Sequence, residues 1–230
     1  MVDNVLKYGK WEFDQEVANC FENMLSRSIP QYEEMRTLVC DIINNTYPDK
    51  YSLLDIGCSD GLMIKRLLKD ECNYVGIDSS YPMIKKAKDN FKNNRNVDIL
   101  YCDLKYSFPD INSNIITSIL TVQFIPIEHR CDILKKIYDS LSSSGIFVMV
   151  EKLTYQDNRI NDMFTKIYYN MKKRNGYTEQ QILAKKKSLE GVLTPLTSDA
   201  NKTMLKDAGF KTVETFWKWM NFEGYLAIKE

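Results

Sequence analysis

Histidine is almost missing from this chain: His129 is the single one among 230 residues. The six cysteines are scattered, with no Cys-x-x-Cys pair. Together these gaps exclude a zinc site of ordinary ligand spacing and leave no Ser-His-Asp set to read. Neither sign of charge is in excess, since Lys+Arg and Asp+Glu both number 31. Without a global basic field nothing draws nucleic acid to the chain as a whole. No apolar run reaches membrane-spanning length, and the first residues show no cationic-then-apolar stretch. Internal repeats and long low-complexity linkers are lacking as well. The expectation is a cytoplasmic protein with reduced thiols, no metal and no membrane contact.

What is present is an apolar fraction of 44%, enough for one sizeable core. The most informative stretch is Ser52-Leu53-Leu54-Asp55-Ile56-Gly57-Cys58-Ser59-Asp60-Gly61, an apolar run closed by an acid and a Gly-x-x-x-Gly turn. A helical pattern begins at Leu62. Glycines let backbone approach a ligand with no Cβ in the way, and a helix start offers free N–H groups. The spacing is neither the dinucleotide Gly-x-Gly-x-x-Gly nor a phosphate loop. Asn73-Tyr74-Val75-Gly76-Ile77-Asp78 is a second acid-closed run, placed where a doubly wound fold sets the acid for ribose hydroxyls. Val97-Asp98-Ile99-Leu100-Tyr101-Cys102-Asp103 is a third. One such acid is an ordinary strand-end or N-cap residue. Three in succession at βαβ spacing point to a nucleotide-type pocket. The pattern resembles the first motifs of class I S-adenosylmethionine (SAM) methyltransferases. That resemblance implies an α/β fold with a doubly wound, mostly parallel seven-stranded sheet.

Apolar periodicity predicts helix over about 13–43, interrupted at Pro30, then strand 52–56, helix 62–68, strand 74–77 and helix 82–91. Strands at 97–101 and 115–120 follow, then helix 127–141, a Ser142-Ser143-Ser144-Gly145 stop and strand 146–150. Residues 158–193 read as long, helical and lysine-rich, and 212–219 and 224–228 as two closing strands. This gives one domain over 1–230, with N-terminal helices in 1–50 and a helical lid in 155–200. Lys172-Lys173-Arg174 and Lys185-Lys186-Lys187 read as solvated helix faces, one of them free to line a site. His129 reads as a surface or capping residue.

Lys10-Trp11-Glu12-Phe13-Asp14, Arg27-Ser28-Ile29-Pro30-Gln31-Tyr32, Lys173-Arg174-Asn175-Gly176-Tyr177 and Asn221-Phe222-Glu223-Gly224 are unusual among methyltransferases. In this order and spacing they resemble the carboxy-S-adenosylmethionine synthase family, formerly called tRNA (uridine-5-oxyacetic acid) methyltransferases. The resemblance covers nearly the whole chain and implies a homodimer. It carries SAM contacts onto Asp55, Gly57, Ser59, Gly61, Asp78, Ser79, Asp103 and Leu104, with Tyr32 reaching the ligand from the N-terminal helices; Cys58, inside the same loop, reads as a small wall residue of the cofactor site rather than a nucleophile. Gln123, Phe124, Tyr177 and Lys186 are substrate candidates; Trp217 and Trp219 read as packing of the last strand pair. Gly191-Val192-Leu193-Thr194-Pro195 reads as a lid-to-sheet hinge or a rigid turn.

Two positions depart from the synthase branch. Lys186 matches the arginine that clamps the carboxylate of carboxy-SAM, and Ile119 matches an asparagine on the fourth strand. Arginine grips a carboxylate through two parallel N–H bonds, which lysine cannot do. The sequence reading therefore favours a SAM-dependent methyltransferase with a small-molecule acceptor. Carboxy-SAM synthesis from SAM and prephenate is one alternative, and a non-catalytic SAM-binding subunit is another. Methyl transfer from a sulfonium needs alignment and exclusion of water more than acid–base groups, so the missing catalytic sets do not argue against an enzyme. No Asp/Asn-Pro-Pro-Tyr motif indicates DNA amino-group methylation.

Overall fold

The computed structural model describes residues 3–5 and 9–230. Seven strands form one sheet in the order β3-β2-β1-β4-β5-β7-β6. They are β1 (Ser52–Ile56), β2 (Asn73–Asp78), β3 (Val97–Tyr101), β4 (Ser113–Ile119), β5 (Leu141–Lys152), β6 (Thr212–Trp219) and β7 (Phe222–Ile228). The first five run parallel, and β7 pairs antiparallel with both β5 and β6. Strand order reverses between β1 and β4, which opens a crevice at their C-terminal ends.

Alternate side chains of β1 enter two cores, because successive residues point to opposite faces. Leu53 packs with Met35, Val39 and Ile43 of α2 (Tyr32–Thr46). Leu54 and Ile56 pack with Ile133, Leu134 and Ile137 of α5 (Ile127–Ser140) and with Leu205 of α8 (Ser198–Asp207). A third cluster joins Trp11 to Val17, Phe21 and Met24 of α1 (Gln15–Ser28) and to Met83 of α4 (Tyr81–Phe91). The short α3 (Leu62–Leu67) follows the glycine turn.

The predicted elements are present with shifted ends. α5 ends at Ser140, one residue short of the expected end, and the Ser142–Gly145 stretch belongs to β5, which begins at Leu141 and carries it as an irregular segment between the pairs Ser113–Leu141 and Ile115–Ile146. Ser144 takes φ +61° there. The lysine-rich stretch is two helices, α6 (Asn158–Arg174) and α7 (Glu179–Leu189), broken at Gly176 with φ +88°. Thr178 caps α7 by accepting from Gln181 N while Gln181 Oε1 accepts from Thr178 N. Among the described residues no helix is long and apolar enough to cross a membrane.

Candidate active site

The crevice at the strand ends is a cleft of about 670 Å³, within the range of small-molecule sites. One wall comes from the ends of β1, β2 and β3. Asp55, buried at the end of β1, accepts a 2.7 Å bond from Thr117 Oγ1. Burial pushes its carboxyl up to about 7, with the nearby Asp78 charge adding to the rise. The following turn lies flat against β2: Gly57 N and Cys58 N both donate to Ile77 O, at 2.8 and 3.0 Å. A Cβ on Gly57 would stand 2.2 Å from Thr121 Oγ1, at a φ of +69° that side chains avoid. One on Gly61 would stand 2.3 Å from the Phe91 ring. Ser59 also takes a left-handed φ of +51°.

Asp78 ties this turn to the next helix. Its Oδ2 accepts from Ser59 N at 2.9 Å and its Oδ1 from Ser80 N at 2.8 Å. Burial raises its carboxyl from the ordinary value while the Ser80 and Ser59 N–H groups pull the other way. Cys58 is buried on the wall, and burial with three neighbouring carboxylates pushes its thiol well above the usual range. A thiol held protonated is a poor nucleophile. Ser79, Asp103 and Leu104 line the same side, Asp103 pairing with Lys105 Nζ at 3.2 Å.

The opposite wall comes from the N-terminal segment, β5, α6 and α7. Trp11, Phe13, Tyr32, Arg36, Lys152, Tyr168, Lys185 and Leu189 all line the cleft. Tyr32 is buried beneath Arg36, whose Cζ lies 4.9 Å from the ring centroid; burial pushes the phenol up to about 12. Trp11 N donates to Ser188 O at 2.8 Å, fastening the N-terminal segment onto α7.

Gln123 and Phe124 follow β4 and line the cleft. Gln123 Oε1 is already engaged by Lys152 N at 2.8 Å, so its carbonyl fixes the end of β5. The buried Arg130 donates to the carbonyls of Ile125, Gln123 and Thr194. Thr194 N returns a bond to Gln123 O at 2.9 Å, so the Gly191–Pro195 segment is pinned at Thr194.

Three expectations meet a different placement. Tyr177 is 6% exposed and does not line the cleft. Its hydroxyl donates to Asp3 and accepts from Ser28 Oγ, and Arg27 covers the ring at 4.1 Å. Lys186 is exposed and off the cleft wall; the lysine of that run facing the cleft is Lys185, one position back on the helix. A helix turns about 100° per residue, so adjacent positions cannot share a face. Finally, the lysine runs are not uniformly solvated, because Lys172 is buried and Lys185 is half-buried. Sequence reasoning also passed over Arg36 and Lys152. For Lys152 the available signal was its place after the buried run 146–150, at a strand end facing the crevice. Trp217 and Trp219 lie off the cleft, Trp217 Nε1 donating to Gln31 Oε1 at 3.2 Å.

Comparison with known proteins follows this geometry. A methyltransferase domain family matches residues 53–145. The carboxy-S-adenosyl-L-methionine synthase of Nautilia profundicola is 41% identical over 96% of this chain and 95% of its own length. That of Staphylococcus epidermidis is 38% identical over 96% and 97%. Among solved structures, the CurJ carbon methyltransferase superposes with a TM-score of 0.67 at 16% identity, over 95% of this chain and 61% of that one. Human N-acetylserotonin methyltransferase in complex with SAM gives 0.62 at 16% identity, over 94% and 55%. These two share the fold, and the chain spans little more than half of each.

Proposed function

The chain belongs to the carboxy-S-adenosyl-L-methionine synthase family, enzymes on the SAM-dependent methyltransferase fold, and from that premise we propose that it carboxylates SAM. The observation that carries this reading is Lys185. It stands half-buried on the cleft wall, over the Trp11 ring at 4.6 Å, with no carboxylate in ion-pair reach among the described residues. The departure at Lys186 argued against carboxylate binding; Lys185 supplies a cation for the same task from the neighbouring position.

The strand-end wall fits SAM. Asp78 is half-buried with its oxygens ordered by two backbone donors, which leaves lone pairs for a ribose. Gly57 lets the turn close against Thr121 at the cleft wall, Gly61 lets it pack on Phe91 away from the cleft, and Leu104 offers an apolar surface beside Asp103 for a base. Bound SAM supplies a sulfonium-linked methyl carbon: one of its C–H bonds breaks as a C–C bond forms to the ring carboxyl carbon of prephenate, the donor in the family resemblance, and the methyl proton leaves with the donor's ring hydroxide as water while the rest of the donor leaves as phenylpyruvate. The chain's residues orient the two molecules and exclude water: Trp11, Phe13 and Leu189 close over the cleft, and Lys185 Nζ receives the new carboxylate. The pair α6–α7 serves as its cover, and the working form is a homodimer in the cytoplasm.

Incubation with SAM and prephenate, followed by mass spectrometry, tests this directly. Carboxy-SAM is the expected product. S-adenosylhomocysteine formed from SAM and a small-molecule acceptor, with no carboxy-SAM, overturns the reading in favour of methyl transfer. The apolar Ile119 on the cleft wall is the feature that favours that second reading.

A further inference from the structure

Arg36 carries a charge that its surroundings do not balance. It belongs to α2, is 5% exposed, and lines the cleft with Tyr32, Ser59, Leu62 and Met63. Its Nη2 donates to Leu62 O at 2.9 Å, which ties it to the start of α3, and its guanidinium lies over the Tyr32 ring. Among the described residues the one carboxylate within ion-pair reach is that of Glu33, whose Oε1 stands 3.3 Å from Nη1. Glu33 is 56% exposed, and its other oxygen takes Arg66. One solvated acid therefore serves two guanidinium groups.

The nearby acids do not make up the difference. Burial raises the Tyr32 phenol, Arg36 opposes it, and Asp60, Glu33 and Glu22 add to the rise, so these are the charges around the ring. Asp60 is paired with Lys86 Nζ at 2.8 Å. A pair with an exposed acid is weak, whereas a guanidinium stays charged at any ordinary pH. Its five N–H groups form a rigid fork, and the bonds to Glu33 and Leu62 use two of them. A buried cation so placed favours an anion on the cleft side.

We propose that Arg36 receives the α-carboxylate of SAM and so makes the cleft select S-adenosyl amino acids over nucleosides that lack this group. With the base beside Leu104 and the ribose at Asp78, the amino-acid tail follows the Gly57–Gly61 turn to Leu62, where Arg36 is held. The Tyr32 ring beneath keeps the guanidinium level. This rests on SAM as the ligand of the strand-end wall and not on the carboxylation reading.

Calorimetric titration of SAM and of decarboxylated SAM, with no carboxyl donor present, tests the assignment, because the two ligands differ only in the α-carboxylate. The wild type should bind SAM about tenfold or more tightly than decarboxylated SAM, the scale of one charge-assisted contact. Arg36→Gln should weaken SAM by that factor and leave decarboxylated SAM within about twofold. Arg36→Lys should recover part of the preference, since it keeps the charge without the fork. Glu33→Gln, at an exposed position, releases the guanidinium from its acid and should raise the preference by about twofold, the scale of a surface ion pair. Should Arg36→Gln fail to fold, the wild-type preference and its rise in Glu33→Gln carry the test, and a preference unchanged in Glu33→Gln then overturns the proposal. Equal affinity of the wild type for the two ligands overturns it too. So does an equal loss of both in Arg36→Gln, the result of a purely structural role through Leu62 O. If the wild type makes carboxy-SAM and shows no such preference, the seat for the tail falls and the carboxylation reading stands. If the preference depends on Arg36 and no carboxy-SAM forms, the reverse holds.

Discussion

The two walls of the cleft hold their charges in opposite ways. On the strand side each acid has fixed partners: Asp55 takes the Thr117 hydroxyl, and Asp78 takes two backbone N–H groups. On the opposite side Lys152, Lys172 and Lys185 lie over aromatic rings and, among the described residues, form no ion pair, although Asp3 favours the charged forms of Lys172 and Lys185 from a distance. A satisfied carboxylate is part of the frame, and its removal disturbs the frame. An unmatched ammonium costs stability while the cleft is empty and contributes when an anion enters. Geometry is thus stored on one side and affinity for a charged partner on the other.

The largest break of this contrast should come from Asp78→Ala. It orphans the Ser59 and Ser80 N–H groups at about 1–3 kcal/mol each and removes the carboxylate proposed to accept from the ribose. Calorimetry should show S-adenosylhomocysteine affinity falling sharply and Tm falling with it. Unchanged affinity would reduce Asp78 to a turn residue.

Lys185→Gln should act on turnover and leave the frame intact. Carboxy-SAM formation should fall about tenfold or more, the loss of one charged hydrogen bond to the product, with Tm unchanged or higher. In the wild type the same step should weaken as pH rises through about 8, where Lys185 and Lys152 lose their protons. A pH–rate profile measured beside Lys185→Gln checks both points.

Lys172→Met should raise stability near neutral pH. The folded-state value of Lys172, about 7, lies below its ordinary 10.5, so the unfolded chain binds more protons between those limits. Wild-type stability therefore gains as pH rises through that window, and the advantage of Lys172→Met should shrink. Thermal unfolding of both proteins from pH 7 to 10 reads the difference; a gap that stays constant would mean that Lys172 is solvated.

The smallest effect belongs to Lys186. Lys186→Arg should leave carboxy-SAM formation and ligand preference unchanged, since this side chain is exposed and off the cleft wall. A gain in carboxy-SAM affinity would place it in the site after all.

The same contrast explains what could be read from residues alone. The strand-end wall is built by short-range rules: an apolar run, an acid, then glycines at Gly57 and Gly61 that only a tight turn requires. Those signals survive without knowledge of neighbours. The helical wall depends on which lysines of a uniform run face inward, and Lys185, Lys186 and Lys187 are chemically identical in sequence. Only the docking of α7 against Trp11, through Trp11 N and Ser188 O, decides among them. Tyr177 misled for the same reason, because Asn175-Gly176 marks a loop but does not reveal that Asp3 and Ser28 draw the ring inward.

The sheet order carries a consequence for biosynthesis. β7 lies between β5 and β6, although it follows both along the chain. On the ribosome β6 therefore emerges with no strand to join, and one side of β5 stays open until β7 arrives. Translation proceeds at about 5–20 residues per second, so the exposed interval is short but obligatory. A stalled or truncated product lacking Phe222–Ile228 would present two unpaired strand edges at once, the state in which sheets join the wrong neighbour.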